Sequence, residues 1–442
     1  MDAVLLARVQ FALTIGFHFL FPPISIGLAW VLVFLEYRGW RRQDPHYVQA
    51  GKFFGGLFAL IFALGVASGI VMEFQFGTNW ATYSRFVGDI FGAPLAAEGV
   101  LAFFLESCFL GLYLFGRGRV SPRLHWLSIL LVALGATLSA FWIIAANSWQ
   151  QTPAGYRLNH ELGRAELTSF YEAVFNPSTL VRYVHTLLAS LVSGTFVVAG
   201  IAAYLLLRDR GTEVATRALK TALPLACAGS LLLLFPSGHE HAAQVARTQP
   251  ERLAVMEGLE QTTTQAPLLA FAIPAAEPPH FRAKIEIPGL LSWMAFGDRQ
   301  AEVRGMDAFP RDELPPLLLT FASFHTMVGL GSLFILLTGL GAFLWWRGRL
   351  LTTRPYLWAL VLAAPLPVIA CQLGWITAEV GRQPWVVYKL LRTADAVSVT
   401  VPAGHILASI ILFVTIYLLL FAAFLFLLRR KLQKGPGSAQ TT

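Results

Sequence analysis

The run Gly374 to Trp385, GWITAEVGRQPW, sets a carboxylate, an arginine and two tryptophans at the end of a long apolar stretch. Glu379 follows more than twenty residues that carry no charged side chain. At the end of a membrane-crossing helix, an ionised or metal-bound carboxylate is costly unless something compensates it. Trp375, four positions earlier, shares its helical face. Arg382 brings a rigid fork of five donors suited to carboxylates, and Pro384 ends the helix. The plainer alternative is an interfacial anchor of Trp and Arg with a snorkelling Glu.

Other groups of this kind recur along the chain. His18 sits in GFHFLFPP, where Pro22 and Pro23 cannot donate to the carbonyls of His18 and Phe19, so the helix loosens beside the imidazole. Flanked by Phe17, Phe19 and Phe21, that ring suits an axial ligand to a porphyrin iron in a dry pocket; hydrogen bonding to a neighbouring helix is the alternative. His185 lies inside a later span, and Met327 enters another within FASFHTMVGLGS. At about 100° per residue, His325 points away from Met327 and cannot face the same partner. Glu98 and Glu106 occupy GAPLAAEGVLAFFLES at different depths, which suits a proton relay or an ion site; capping a basic group of a partner subunit is the alternative. Pro94 is expected at the first position of that helix, and Asn176 with Pro177 as the cap and first residue of the fifth span. Arg252 and Glu257 offer a donor and an acceptor that could hold two oxygens of a quinol; a solvated amphipathic helix is the duller reading.

The elements that position these residues are membrane helices. The 442 residues are 56% hydrophobic and 13% charged, with mean hydropathy +0.61, which excludes an ordinary soluble domain. Runs of about 20 apolar residues predict nine spans, near 11–35, 53–75, 94–115, 125–147, 179–207, 218–237, 315–346, 356–380 and 402–428. The fold class is therefore an all-α polytopic membrane protein. The net charge of +8 invites a nucleic-acid reading, but the basic residues cluster in alternate connections, from Arg38, Arg41 and Arg42 to Arg429, Arg430, Lys431 and Lys434. By the positive-inside rule the N-terminus is expected outside and the C-terminus in the cytoplasm, with connections 76–93, 148–178, 238–314 and 381–401 facing outward. The first span lacks a cleavage motif and is expected to be retained. Cys108, Cys227 and Cys371 fall within spans, and no CxxCH occurs, so disulfides and covalently attached haem are not expected. Ser190 and Gly194 form a small-xxx-small pair for close helix packing. The chain divides into residues 1–237 with six spans, an outward segment 238–314, three spans over 315–428 and a basic tail 429–442, Gly/Ser/Gln-rich after Lys434.

In this topology His18, His185, Met327 and Glu379 come from four spans yet all fall in the outer part of the membrane. Haem iron accepts His, Met or an anionic oxygen, and a His/Met pair closes a six-coordinate, electron-transferring centre. At this point the chain resembles subunit I of the cytochrome bd-type quinol oxidases: GFHFLFPP, MEFQFGTNW, GDIFGAPLAAEGVLAFFLES and GWITAEVGRQPW follow the family pattern in order. The resemblance implies a low-spin haem b held by His185 and Met327, and a high-spin haem b with a haem d or further haem b served by His18 and Glu379. Trp375 and Arg382 would support this cluster, Arg382 near propionates. Glu98 and Glu106 would lie on the proton route to the oxygen site. The outward segment resembles the short version of the family's quinol loop; Glu257 matches its carboxylate, and Arg252 stands where lysine is common. His325 stands where the family usually has arginine.

The implied activity is oxidation of membrane quinol and reduction of O2 to water, building a proton gradient by charge separation without pumping. It implies a bacterial cytoplasmic membrane, a second membrane subunit, a possible small single-helix subunit and no nucleic acid. Two other functions share some features. A haem-bearing electron-transfer subunit with altered haem content would use the same ligands, and an ion-coupled transporter would use Glu98 and Glu106.

Overall fold

The computed structural model describes residues 2–274 and 281–436. Among these residues, nine helical segments are long and apolar enough to cross a membrane. The first is broken: α1 (Ala3–His18) ends at the histidine and α2 (Pro22–Arg42) starts at the first proline. The proline pair does more than loosen the helix. The His18 carbonyl that Pro22 cannot serve accepts instead from Phe21 N at 3.1 Å, in a tight turn. Asp44 then caps α3 (Pro45–Thr78), accepting from His46 N at 2.9 Å.

The expected outward connection 76–93 is mostly helix. After a turn at Asn79 and Trp80, α4 (Ala81–Ala97) buries Tyr83, Val87, Ile90 and Phe91 along one face, a helical spacing that polar neighbours hide in the sequence. Pro94 accordingly lies inside α4, not at its start. Its missing N–H weakens the ladder, and a π-helical turn over Glu98–Phe103 follows before α5 (Phe104–Phe115).

α6 (Pro122–Gln151) is capped by Ser121. A hairpin of β1 (Tyr156–Asn159) and β2 (Arg164–Leu167) and the short α7 (Phe170–Val174) lead into α8 (Thr179–Leu207). Ser178, not Asn176, precedes the first helical residue. The Asn176 side chain is spent on the turn, accepting from Ser178 N at 3.2 Å and Thr152 Oγ1 at 3.1 Å.

The sixth span does not stop at residue 237. α9 (Thr212–Leu232) runs through a π-helical turn over Leu233–Gly238 directly into α10 (His239–Thr248). Polar residues such as His239 and Glu240 do not end a helix; Pro250 does, by excluding helical backbone at Gln249, and α11 (Pro250–Glu257) starts there. The rest of the segment pairs β3 (Thr263–Thr264) with β6 (Glu302–Val303) and β4 (Leu268–Pro274) with β5 (Phe281–Ile287), around α12 (Leu290–Phe296).

The remaining spans are α13 (Leu317–Trp346), the pair α14 (Arg354–Ala363) and α15 (Leu366–Val380) interrupted at Pro365, and α16 (Ala403–Lys434). Between the last two, β7 (Trp385–Val387) pairs with β8 (Leu391–Arg392). Most of the Gly/Ser/Gln-rich end lies outside the described residues.

The core is built on α2, α3, α8 and α9. Ser190 and Gly194 act as the spacing suggests. A Cβ on Gly27 would sit 1.9 Å from the Ser190 carbonyl oxygen, and one on Gly194 would sit 2.2 Å from the Gly27 backbone. Only glycine lets α2 and α8 approach this closely. At the end bearing the arginine-rich connections, buried Glu36 accepts hydrogen bonds from Arg117 and, at 3.1 Å, from Tyr113 Oη.

Candidate functional site

Helix α15 is the hub to which the other chemistry-bearing helices attach. Gln372 Nε2 donates to Gly16 O on α1 at 2.8 Å, two residues before His18. Cys371 Sγ meets Ser193 Oγ of α8 at 3.5 Å, and Thr377 shares a 2.8 Å hydrogen bond with Ser323 of α13. Asn147 of α6 donates to Glu379 Oε1 at 3.1 Å. Met327 packs its sulfur on the α15 backbone, only 2.8 Å from where a Cβ on Gly374 would lie. Each anchor comes from a polar or small residue in an otherwise apolar helix, where helix association depends on close packing and interhelical hydrogen bonds.

The histidines are oriented one nitrogen at a time. Ser68 Oγ donates to Leu64 O at 2.7 Å, so it must accept from His18 Nδ1–H at 3.0 Å, which leaves the Nε2 lone pair of His18 available to a metal. Gly69 gives that ring room; a Cβ there would stand 3.1 Å from His18 Cε1. His185 Nδ1 is engaged by Ser237 Oγ at 3.3 Å, and its ring lies edge-on to His241 at 5.1 Å. His325 is turned elsewhere, as its angular offset from Met327 requires. Its ring nitrogens lie 3.1 Å from Phe321 O and from Leu269 O, one of which accepts the single N–H of the neutral ring, so that the side chain sits between α13 and β4.

Glu379 sits among arginines. Arg382 pairs with it directly. Arg182 Nη2 donates to Asn147 Oδ1 at 2.6 Å, and so faces Glu379 through the asparagine. Arg252 lies against Gly381, where a Cβ would be 3.0 Å from its Nε. Its Nη1 donates to Gln249 Oε1 at 2.9 Å, Gln249 bonds Gln151 at 3.0 Å, and Gln151 donates to Ala378 O. Arg182, Arg252 and Arg382 are only 8%, 4% and 5% exposed. Three buried guanidiniums against one carboxylate leave a surplus of positive charge that protein alone does not neutralise. Arg252 Nε is buried without a partner, and burial, reinforced by Arg182, lowers its pKa to about 9. Anionic carboxylates of a bound group would satisfy this cradle, and haem propionates have that chemistry.

Arg252 and Glu257 do not share a face. Five residues apart, they are separated by about 140° at ~100° per residue, and Arg252 points to the arginine cradle. Glu257 is buried at the other end of α11 with Oε2 unpartnered, and burial raises its pKa to about 8. Glu98 Oε1 accepts from Ser139 Oγ at 2.7 Å; Glu106, beyond the π-helical turn, is buried against α6 at Gly135. Trp375 is half-buried on α15.

The sequence reading missed Arg182, His241 and the role of Asn147. A lone arginine within an apolar span was the available signal for the first; the other two gain meaning only from their neighbours.

Among the described residues no three His, Cys, Asp or Glu side chains converge as a site for a bare metal ion. Isolated imidazoles, a thioether and a carboxylate beside a cationic cradle are what haem requires: single axial ligands and partners for propionates. The fold is that of a multi-span membrane protein, and its site has the donor types that a haem-bearing subunit would need.

The family model for cytochrome bd terminal oxidase subunit I matches residues 6–436. The chain is 40% identical to the cytochrome bd ubiquinol oxidase subunit 1 of Bacillus subtilis (strain 168), covering 98% of this chain and 94% of that protein. It is 36% identical to the cytochrome bd-II ubiquinol oxidase subunit 1 of Escherichia coli (strain K12), covering 100% and 98%. The solved bd oxidase of Geobacillus thermodenitrificans superposes with a TM-score of 0.91 at 29% identity, over 98% of this chain and 99% of that one. The chain belongs to the cytochrome bd terminal oxidase subunit I family. It is thus a multi-pass bacterial membrane protein that carries haem and works with a second membrane subunit.

Proposed function

We propose that this chain takes electrons from membrane quinol beside α11 and delivers them to oxygen, which is reduced to water. The observation that carries the reading is the convergence on α15 of helices bearing His18, His185, Met327 and Glu379 next to three buried arginines. A low-spin haem b, a high-spin haem b and a haem d or further haem b supply, when bound, the one-electron steps and the oxygen chemistry. His185 and Met327 would hold the low-spin haem, and His18 and Glu379 the two high-spin haems. Ser68 and Ser237 fix the imidazoles, while Arg182, Arg252 and Arg382 orient propionates.

Glu257 takes a proton from the quinol as its electrons leave. Arg252 links this end of the molecule to the cradle rather than gripping the same quinol oxygen. Glu106 and Glu98 carry protons from the opposite, cytoplasmic side to the oxygen site. Charge is separated without a pump, each charge crossing 100 mV storing about 2.3 kcal/mol. The arginine-rich connections face the cytoplasm, and a small single-helix subunit joins the second membrane subunit.

The test is oxygen uptake by the purified two-subunit complex given a reduced short-chain quinol. Quinol-dependent uptake with water as product is expected. Haem reduction without uptake would leave an electron-transfer subunit that never reduces oxygen.

A further inference from the structure

Glu251 opens α11 one residue before Arg252, and nothing above uses it. It is 3% exposed. Its Oε1 accepts from Tyr388 Oη at 2.6 Å, and its Oε2 is buried with no hydrogen-bond partner. A buried carboxylate with one free oxygen is costly, and here it has a short way out. Lys389 Nζ stands 4.0 Å from Oε1 on a side chain that is 55% exposed, and lies over the Tyr388 ring at 5.3 Å. Two backbone features fix this arrangement. Tyr388 N donates to Gln150 O at 2.9 Å, and Lys389 adopts φ 55°, which a non-glycine residue rarely takes. Burial, then the bond to Glu251, pushes the Tyr388 phenol up, with Glu313 adding to the effect, so Tyr388 stays a donor and does not itself carry a proton away. The carboxylate is the member of the trio placed to pass a proton on, with Lys389 its link to water.

We propose that Glu251, supported by Tyr388 and Lys389, is the outlet for one of the two protons released by quinol. The quinol O–H bond breaks and the proton bonds to Glu251 Oε2, while the electron pair it leaves on the quinol oxygen would be taken up, one electron at a time, by the haem groups of the proposed function. The proton then passes to surface water beside the exposed Lys389 side chain. This rests on the quinol reading above, in which Glu257 takes the other proton.

The experiment uses the intact two-subunit complex carrying Glu251→Gln, Glu251→Asp, Lys389→Gln or Glu257→Gln. Oxygen uptake is measured with a reduced short-chain quinol, and with an artificial one-electron donor that bypasses the quinol site. Glu251→Gln should lower kcat with quinol by about a hundredfold or more, the scale of a lost proton-transfer group. KM, haem spectrum and artificial-donor rate should be kept. Glu251→Asp should recover part of the loss, and Lys389→Gln should show a smaller loss of the same kind. A raised KM at unchanged kcat, or an equal fall with both donors, would assign Glu251 to binding or to structure and overturn the proposal. A wild-type rate in Glu251→Gln beside a slow Glu257→Gln overturns the outlet but keeps the quinol reading. Wild-type rates in both remove quinol chemistry from α11 altogether.

Discussion

A serine decides which nitrogen of His18 can meet iron. Because Ser68 gives its proton to Leu64 O, the imidazole must donate through Nδ1. This detail could not be read from the sequence, where Ser68 is one small polar residue in a long apolar run; His18, His185 and Glu379 could be singled out there, because ionisable side chains are rare in membrane spans, whereas a methionine such as Met327 is by type alone ordinary packing. Arg182 and Arg252 show the limit. As residue types, Arg252 and Glu257 offered a donor and an acceptor for the two oxygens of a quinol, but the helix turns them apart and the guanidinium lies against Gly381. In the proposed function Glu257 is a quinol-side base, and a base acts only when ionised. With its pKa raised to about 8 by burial, the ionised fraction grows as pH rises through that value. The quinol kcat/KM should therefore climb from neutral to mildly alkaline pH, and Glu257→Gln should be slow and flat over the same range. A profile that falls over this range in the wild type would contradict the assignment.

Elements were legible where apolar length alone defined them, and less so where polar residues continue a helix. Pro94 and residue 238 both suggested boundaries, yet α4 begins at Ala81 and the sixth span runs on to Thr248, because buried faces rather than mean polarity decide where a helix persists. The Ser190 and Gly194 pair was read correctly because its cause is local: two small residues one turn apart. Their contact with Gly27 sets how closely α8 and α2 can pack. Gly194→Val should force the helices apart, costing about 1–3 kcal/mol as overpacking does. A lower unfolding temperature of the complex is expected, and an unchanged one would mean that the interface yields freely.

For the whole molecule, hydropathy sufficed to expect nine spans, because the bilayer imposes length, and nine are present among the described residues; the sidedness remains the expectation that the basic connections give. What they could not supply is the depth at which α15 gathers its neighbours, since that follows from single hydrogen bonds such as Gln372 to Gly16 and Asn147 to Glu379. Sidedness can be checked in intact cells with single cysteines and a membrane-impermeant thiol reagent. A cysteine at Val399, which is 93% exposed, should be labelled from outside, and one at Arg430 only after the membrane is opened. The reverse pattern would invert the proposed proton route.

The central claim is that α15 and its partners are built around haem, with Glu379 serving one high-spin group. Reduced-minus-oxidised spectra of the purified complex, wild type beside Glu379→Ala, test it most directly. Haem bands are expected in the wild type, and in the variant the loss of one high-spin component with the low-spin band of the His185 and Met327 site retained. A colourless wild-type complex, or identical spectra from the two proteins, would contradict it.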